Sequence, residues 1–409
     1  MIPTCRSCGS TDLVPVLSLG RTPLANALRD ASELAAPEAT YPLDLAFCPR
    51  CALVQITESV APPVLFRDYV YFSSFSETML GHAATLASRM VNERLLTSQS
   101  LVIEAASNDG YLLKNYKAAG VKVLGVEPAH NVARTAIEQH GIPTAEEFFT
   151  LEFARRLVAE GHRADVFHAH NVLAHVPDLN GFVVGIRTVL KPNGMAVIEV
   201  PYLKDMLDQC EFDTIYHEHL CYFSLTALNR CFKRHDLCIT DVERVAIHGG
   251  SIRLFASLVG SDNPVSPRVA ALLAEESQWQ VDTQAPYKNF ALRVNQIKAS
   301  LRMLLGNLKA AGLKLAAYGA SAKGSTLLNY CEIGSETLDF VVDRSTVKQG
   351  KFTPGTHLRI YSPDKLLEAQ PDFTLLLTWN FAEEILRQQE EYRRRGGRFI
   401  VPVPAPRVA

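Results

Sequence analysis

From residue 100 onward, the chain alternates short apolar runs, small-residue turns and segments with helical spacing. Leu101, Val102 and Ile103 lead to Glu104 as a buried strand, residues 105–110 form a turn, and 111–119 read as a helix. A second strand over 122–126 ends at Glu127, and a helix follows over 129–139. Further strands fall at 164–168 and 195–200, the latter after a turn over 190–194. Residues 270–310 are helical and polar, as a connection would be. A second alternating series then begins, with strands at 313–318, 338–343, 373–378 and 398–402 and a helix starting at Ser325. Such alternation implies parallel sheets with helices on both faces and ligands beyond the carboxyl ends of the strands.

The first 70 residues read differently, being turn-rich and short of long periodic segments. After them, Met79, Leu80, Ala83, Leu86, Met90 and Val91 recur at helical spacing, and Ser74 and Glu77 fit a capping box before that helix. The expected fold class is therefore α/β in three parts: an N-terminal module over 1–70, a central Rossmann-like domain over 71–280 and a second Rossmann-like domain over 281–409.

Composition narrows the function classes. A net charge of -2 gives no global basic field for nucleic acid. No apolar run approaches a membrane span, and the start lacks the features of a signal peptide, so a cytoplasmic protein is expected. The nine cysteines form two sets. Cys210, Cys221, Cys231, Cys238 and Cys331 are scattered, as buried small hydrophobes in a reducing compartment would be. Cys5/Cys8 and Cys48/Cys51 form two CxxC pairs, each able to aim two thiolates at one point from a tight turn. Four thiolates make a closed tetrahedral zinc site, which is structural because no coordination position stays open. Arg6 and Arg50 beside it read as solvated charges.

The turn after the first central strand is a dinucleotide-type loop in which Ala106 and Asn108 replace glycines and only Gly110 remains. Glu127, at the end of the next strand, is placed to accept two ribose hydroxyls of an adenosine. Asp109 beside the helix start would repel a pyrophosphate, which favours the cationic S-adenosylmethionine over a nicotinamide dinucleotide. Downstream, His175 follows a strand end, where sites on this fold gather side chains; His168 and His170 read as strand-end residues. The run Tyr216, His217, Glu218, His219 suits acid/base chemistry, because its histidines lack the spacing of a metal-binding helix. Lys323 lies in the small-residue turn 319–324, which fails as a P-loop but exposes backbone N–H groups suited to a pyrophosphate.

These motifs together resemble the three-domain sugar C-methyltransferases of deoxysugar biosynthesis, which act at C-3' of dTDP-linked 4-keto deoxyhexoses, with relatives acting at C-5'. The resemblance runs nearly end to end. It covers the four paired cysteines, the segment from Tyr69 to Ser74, and the loop from Glu104 to Gly110. It continues through 171–175, 216–219, 248–253, 319–324 and the ending Val401-Pro402-Val403-Pro404. It implies structural zinc on Cys5, Cys8, Cys48 and Cys51, and S-adenosylmethionine on Glu104, Ala106, Ser107, Asn108, Gly110, Glu127, Pro128, Phe148 and Asn171. His219 would be the general base, with Tyr216, Glu218, His175 and Tyr71 lining the site. Lys323, Ser321 and Arg253 would contact the sugar nucleotide, and the chain would act as a monomer without nucleic-acid or membrane partners. Three other activities are kept beside it: C-5' methylation, O-methylation of a small hydroxylated metabolite, and RNA binding by a zinc ribbon.

Overall fold

The computed structural model describes residues 4–62, 65, 72–75, 77–247 and 249–409. Tyr69, Tyr71 and His248 lie outside them.

Each cysteine pair sits on the same small turn. The N–H of Gly9 bonds back to the carbonyl of Cys5 at 2.9 Å, and that of Ala52 to Cys48 at 2.8 Å. Both turn residues have left-handed backbones, at φ 71° and 64°. Three antiparallel strands follow, Val14–Thr22, Tyr41–Phe47 and Val54–Ile56, where the sequence had suggested mainly turns. Their alternation is broken by register shifts near Pro15 and between Ser18 and Arg21, which hides a simple period of two. The fourth strand of this sheet, Cys221–Tyr222, comes from far downstream and pairs antiparallel with Val54 and Gln55.

The central sheet has seven strands. Numbered from Leu101–Ala105 in chain order, they lie side by side as 3-2-1-4-5-7-6. The first five are parallel, and the hairpin of Leu237–Val245 and Ser251–Leu258 adds an antiparallel edge. Successive residues enter different cores. Val102, Val166 and Val197 pack with the helix Glu77–Glu93, whereas Ile103, Phe167 and Ile198 join Phe153 and Phe182 on the other side. That division is what a sheet covered on both faces requires. The segment 190–194 is not a free turn: it is an irregular part of the long strand Leu190–Pro201, bulged where Ala164 and Val166 face Leu190 and Met195.

The third sheet runs 3-2-1-4-5-6 from its first strand Leu315–Tyr318, with five parallel strands and an antiparallel end. Two helices, Pro267–Gln278 and Ala285–Ala310, bridge to it. The longer one buries Tyr287, Phe290, Val294, Ile297, Leu301 and Leu305 at helical spacing, so it is core as well as connection. Both doubly wound sheets reverse strand order between strands 1 and 4, and a crevice opens above each reversal.

Candidate active site

One cavity of about 720 Å³ lies along the central sheet and reaches the third-sheet unit at Lys323. Its wall includes Ala106, Asn108, Glu127, Pro128, Phe148 and Asn171 from the central sheet, with His175, Tyr216, His219 and Lys323. Six expected cofactor residues, four other expected site residues and the opening of the third sheet thus share one space.

The loop keeps a glycine-like path without the glycines. Ala106, Asn108 and Gly110 have φ of 53°, 50° and 78°, and Asn171, opposite, has 55°. Only small or locally hydrogen-bonding side chains tolerate that region, which costs other residues roughly 1–2 kcal/mol. Asn108 and Asp109 also bind the incoming segment: the N–H of Ser73 donates to Asn108 Oδ1 at 3.0 Å, and the Ser74 hydroxyl donates to Asp109. One oxygen of Asp109 is therefore taken up within the protein.

Glu127 accepts the N–H of Asn108 and of Ala129, each at 2.9 Å. Burial raises its pKa to about 7 despite those donors. Glu104 lies below the loop, 1% exposed and outside the cavity wall; burial, with Glu127 and Asp109 nearby, holds its carboxyl well above the usual range. Ser107 and Gly110 also support the loop from beneath rather than lining the cavity.

The four-residue run splits between two surroundings. His219 Nδ1 lies 2.8 Å from the Thr214 carbonyl, which fixes the proton on that nitrogen. Nε2 is then the acceptor and takes the hydroxyl of Tyr216 at 3.0 Å. The His175 ring meets His219 edge-on at 4.8 Å, and burial lowers its pKa to about 4, so it is neutral. His217 and Glu218 face the N-terminal module instead. His217 Nε2 donates to the Pro42 carbonyl at 3.2 Å, and Asn26 Nδ2 donates to Glu218 at 2.6 Å. Burial lifts Glu218 to about 7. Leu220 and the strand after it continue this attachment, the N–H of Ile56 donating to the Leu220 carbonyl at 3.0 Å.

The expected sugar-nucleotide residues also divide. Lys323 reaches the cavity, 3.2 Å from Glu211 and over the Trp379 ring, whose Nε1 donates to Asp213 at 2.6 Å. Ser321 caps its own helix by accepting the Gly324 N–H at 3.1 Å. Arg253 is buried in a row of charges across adjacent strands. It bonds Glu199 at 2.9 Å and faces Glu243 at 3.5 Å, away from the cavity. Two wall residues carried no signal in the sequence. Thr214 acts through a backbone carbonyl, which no side-chain pattern reveals. His170 reads as a strand end until Glu199, beside it at 3.6 Å, is seen to be buried.

The four N-terminal sulfurs all lie within 4.8 Å of one another, with Cys5–Cys51 and Cys8–Cys48 both at 3.5 Å. Tetrahedral Zn–S bonds of ~2.3 Å need sulfur separations in that range, so the thiolates fit zinc. Arg6 is not simply solvated: its guanidinium donates to the Glu58 carbonyl at 2.8 Å, and its backbone carbonyl accepts Asn180 at 2.8 Å. Arg234 donates to the Ser7 carbonyl at 2.9 Å, so the zinc turn is bonded to the central unit. No helix among the described residues is long and apolar enough to cross a membrane.

Comparison with known proteins agrees part by part. Three domain families match in order: a zinc-binding domain over 5–66, a methyltransferase domain over 79–242 and a C-methyltransferase C-terminal domain over 246–404. The C-methyltransferase NovU of Streptomyces niveus is 39% identical over 407 residues, covering 100% of this chain and 97% of NovU. Among solved structures, the PH0226 protein of Pyrococcus horikoshii OT3 is 16% identical with a TM-score of 0.38, over 48% of this chain and 98% of that one. Magnesium protoporphyrin IX methyltransferase of Synechocystis PCC 6803, with bound SAH, is 13% identical with a TM-score of 0.34, over 43% and 82%.

Proposed function

The chain belongs to the S-adenosylmethionine-dependent C-methyltransferases, and from that premise we propose that it methylates C-3' of a dTDP-linked 4-keto deoxyhexose. The observation that carries this reading is the single cavity shared by the cofactor loop, His219 and Lys323. A C-methyltransferase must make a carbon nucleophilic, and a ketone beside the target carbon does so by allowing an enolate. S-adenosylmethionine, when bound, supplies the electrophilic methyl group for that carbon.

The chain's own groups then divide the work. Thr214 keeps the proton of His219 on Nδ1, so Nε2 can take the substrate's C-3' proton. As the sugar enters, the Tyr216 hydroxyl turns from Nε2 to the C-4' oxygen, freeing the lone pair and stabilising the oxyanion. Neutral His175 lines the same wall without adding a competing cation. Ala106, Asn108, Glu127, Pro128, Phe148 and Asn171 hold the cofactor, and Lys323 meets the nucleotide end. Glu218, Arg253, Ser321, Glu104, Ser107 and Gly110 act as supports. The two crevices facing one space hold the reacting carbon and methyl together.

The test supplies S-adenosylmethionine with a panel of dTDP-4-keto deoxysugars and measures product mass and position by NMR. A product heavier by one methyl at C-3' is expected. Methylation at C-5' would overturn the regiochemistry, and no methylation of any 4-keto sugar would overturn the substrate class.

A further inference from the structure

Next to the large cavity, with which it shares Pro201, Thr214 and His219, lies a second space of about 20 Å³ lined also by Glu211 and Tyr222. That volume admits one water molecule and excludes any organic group. Its polar atoms are short of partners. Glu211 Oε1 is buried with no hydrogen-bond partner among the described residues, and the Tyr222 hydroxyl, whose oxygen the Tyr216 backbone N–H approaches, is buried with no acceptor for its proton. The other oxygen of Glu211 accepts Lys323 Nζ at 3.2 Å. A hydroxyl proton without an acceptor and a carboxylate oxygen without a donor beside a water-sized space are complementary, because a water accepts from the first and donates to the second.

We propose that this space holds one ordered water and that Tyr222 and Glu211, through it, are positioning residues for the base. Thr214 also lines the space, and it holds both Oγ1, 3.5 Å from His219 Nδ1, and the carbonyl that fixes that nitrogen. The chain of contacts thus runs from Lys323 in the third sheet through Glu211, the water and Thr214 to the imidazole. Its effect on rate rests on the reaction proposed above, whereas the site itself does not.

Crystals of the full-length protein at a resolution that resolves ordered solvent test the site. One peak within hydrogen-bond distance of both Tyr222 Oη and Glu211 Oε1 is expected, and its loss or displacement in Tyr222→Phe. Turnover of Tyr222→Phe should fall roughly fivefold, the value of one ordinary hydrogen bond, with KM for both substrates unchanged. Glu211→Gln serves as a second variant should the first fail to fold, with the same fall in turnover and an unchanged KM for S-adenosylmethionine; its pairing with Lys323 makes the sugar-nucleotide KM no part of that test. A dry space in the wild-type protein, or full turnover in the folded variant, overturns the inference. A hydrated space in an enzyme that methylates no 4-keto sugar overturns only the substrate reading.

Discussion

Tyr216 Oη lies 3.0 Å from His219 Nε2, the nitrogen left unprotonated by the Thr214 carbonyl. In the proposed reaction this pair combines a base with a donor that turns from it to the neighbouring oxyanion. His219→Asn should lower turnover roughly 100- to 10,000-fold, the usual contribution of a general base, while S-adenosylmethionine binds as before. Single-turnover kinetics with calorimetry of cofactor binding separate the two effects. Full rate would remove His219 from the base role.

Cofactor affinity should depend on Glu127. Its free-state pKa of about 7 reflects burial, and ribose hydroxyls donating to it favour the carboxylate. Binding then releases a proton, so affinity rises as pH rises through that value and levels off above it. Titration calorimetry in buffers of different ionisation enthalpy reads the proton directly. Glu127→Gln should flatten the dependence and weaken binding about tenfold, or ~1.4 kcal/mol.

Glu218 offers a stability test. Its folded pKa of about 7 exceeds the ordinary carboxyl value, so the stability it contributes is complete below that ordinary value and is lost as pH rises through about 7. Glu218→Gln keeps the contact with Asn26 without the buried charge. Its melting temperature should exceed the parent's by ~3 °C above neutral pH and converge with it in acid. A supporting role also predicts that turnover survives; a loss comparable to that of His219→Asn would restore Glu218 to the chemistry.

Removing zinc should disturb the base before the cofactor. Cys48→Ser, or a strong chelator, should abolish bound zinc and raise hydrogen exchange over residues 216–222, because that segment hangs on the sheet beside the metal turns. S-adenosylmethionine affinity should change less than twofold, or ~0.4 kcal/mol. Metal analysis, exchange mass spectrometry and calorimetry together decide it.

Arg253→Ala should cost about 3–5 kcal/mol of stability by stranding Glu199, which is buried yet held ionised by His170, His82 and Arg253. Denaturant unfolding measures this. An unchanged sugar KM in the surviving folded enzyme would fit its distance from the cavity.

Much of this was legible because it is written in local chemistry. Strand–turn–helix alternation located both doubly wound sheets, and two CxxC pairs located zinc. Tyr216, His219, His175 and Lys323 were singled out and do meet in one cavity. What stayed hidden depends on partners distant in sequence. Nothing in 216–219 tells which side chains face inward; Pro42 and Asn26 settle it for His217 and Glu218. Arg253 resembles a ligand residue until Glu199 is found beside it in register. The bulge at 190–194 reads as a turn because Pro192, Asn193 and Gly194 favour turns wherever they occur.

The downstream strand Cys221–Tyr222 belongs to the sheet of the N-terminal module, not to the unit that surrounds it in sequence. The segment that carries His219 is consequently not portable. A central unit grafted onto another N-terminal module would carry the loop 105–110 along but leave the segment from His219 to Tyr222 without its partner strand.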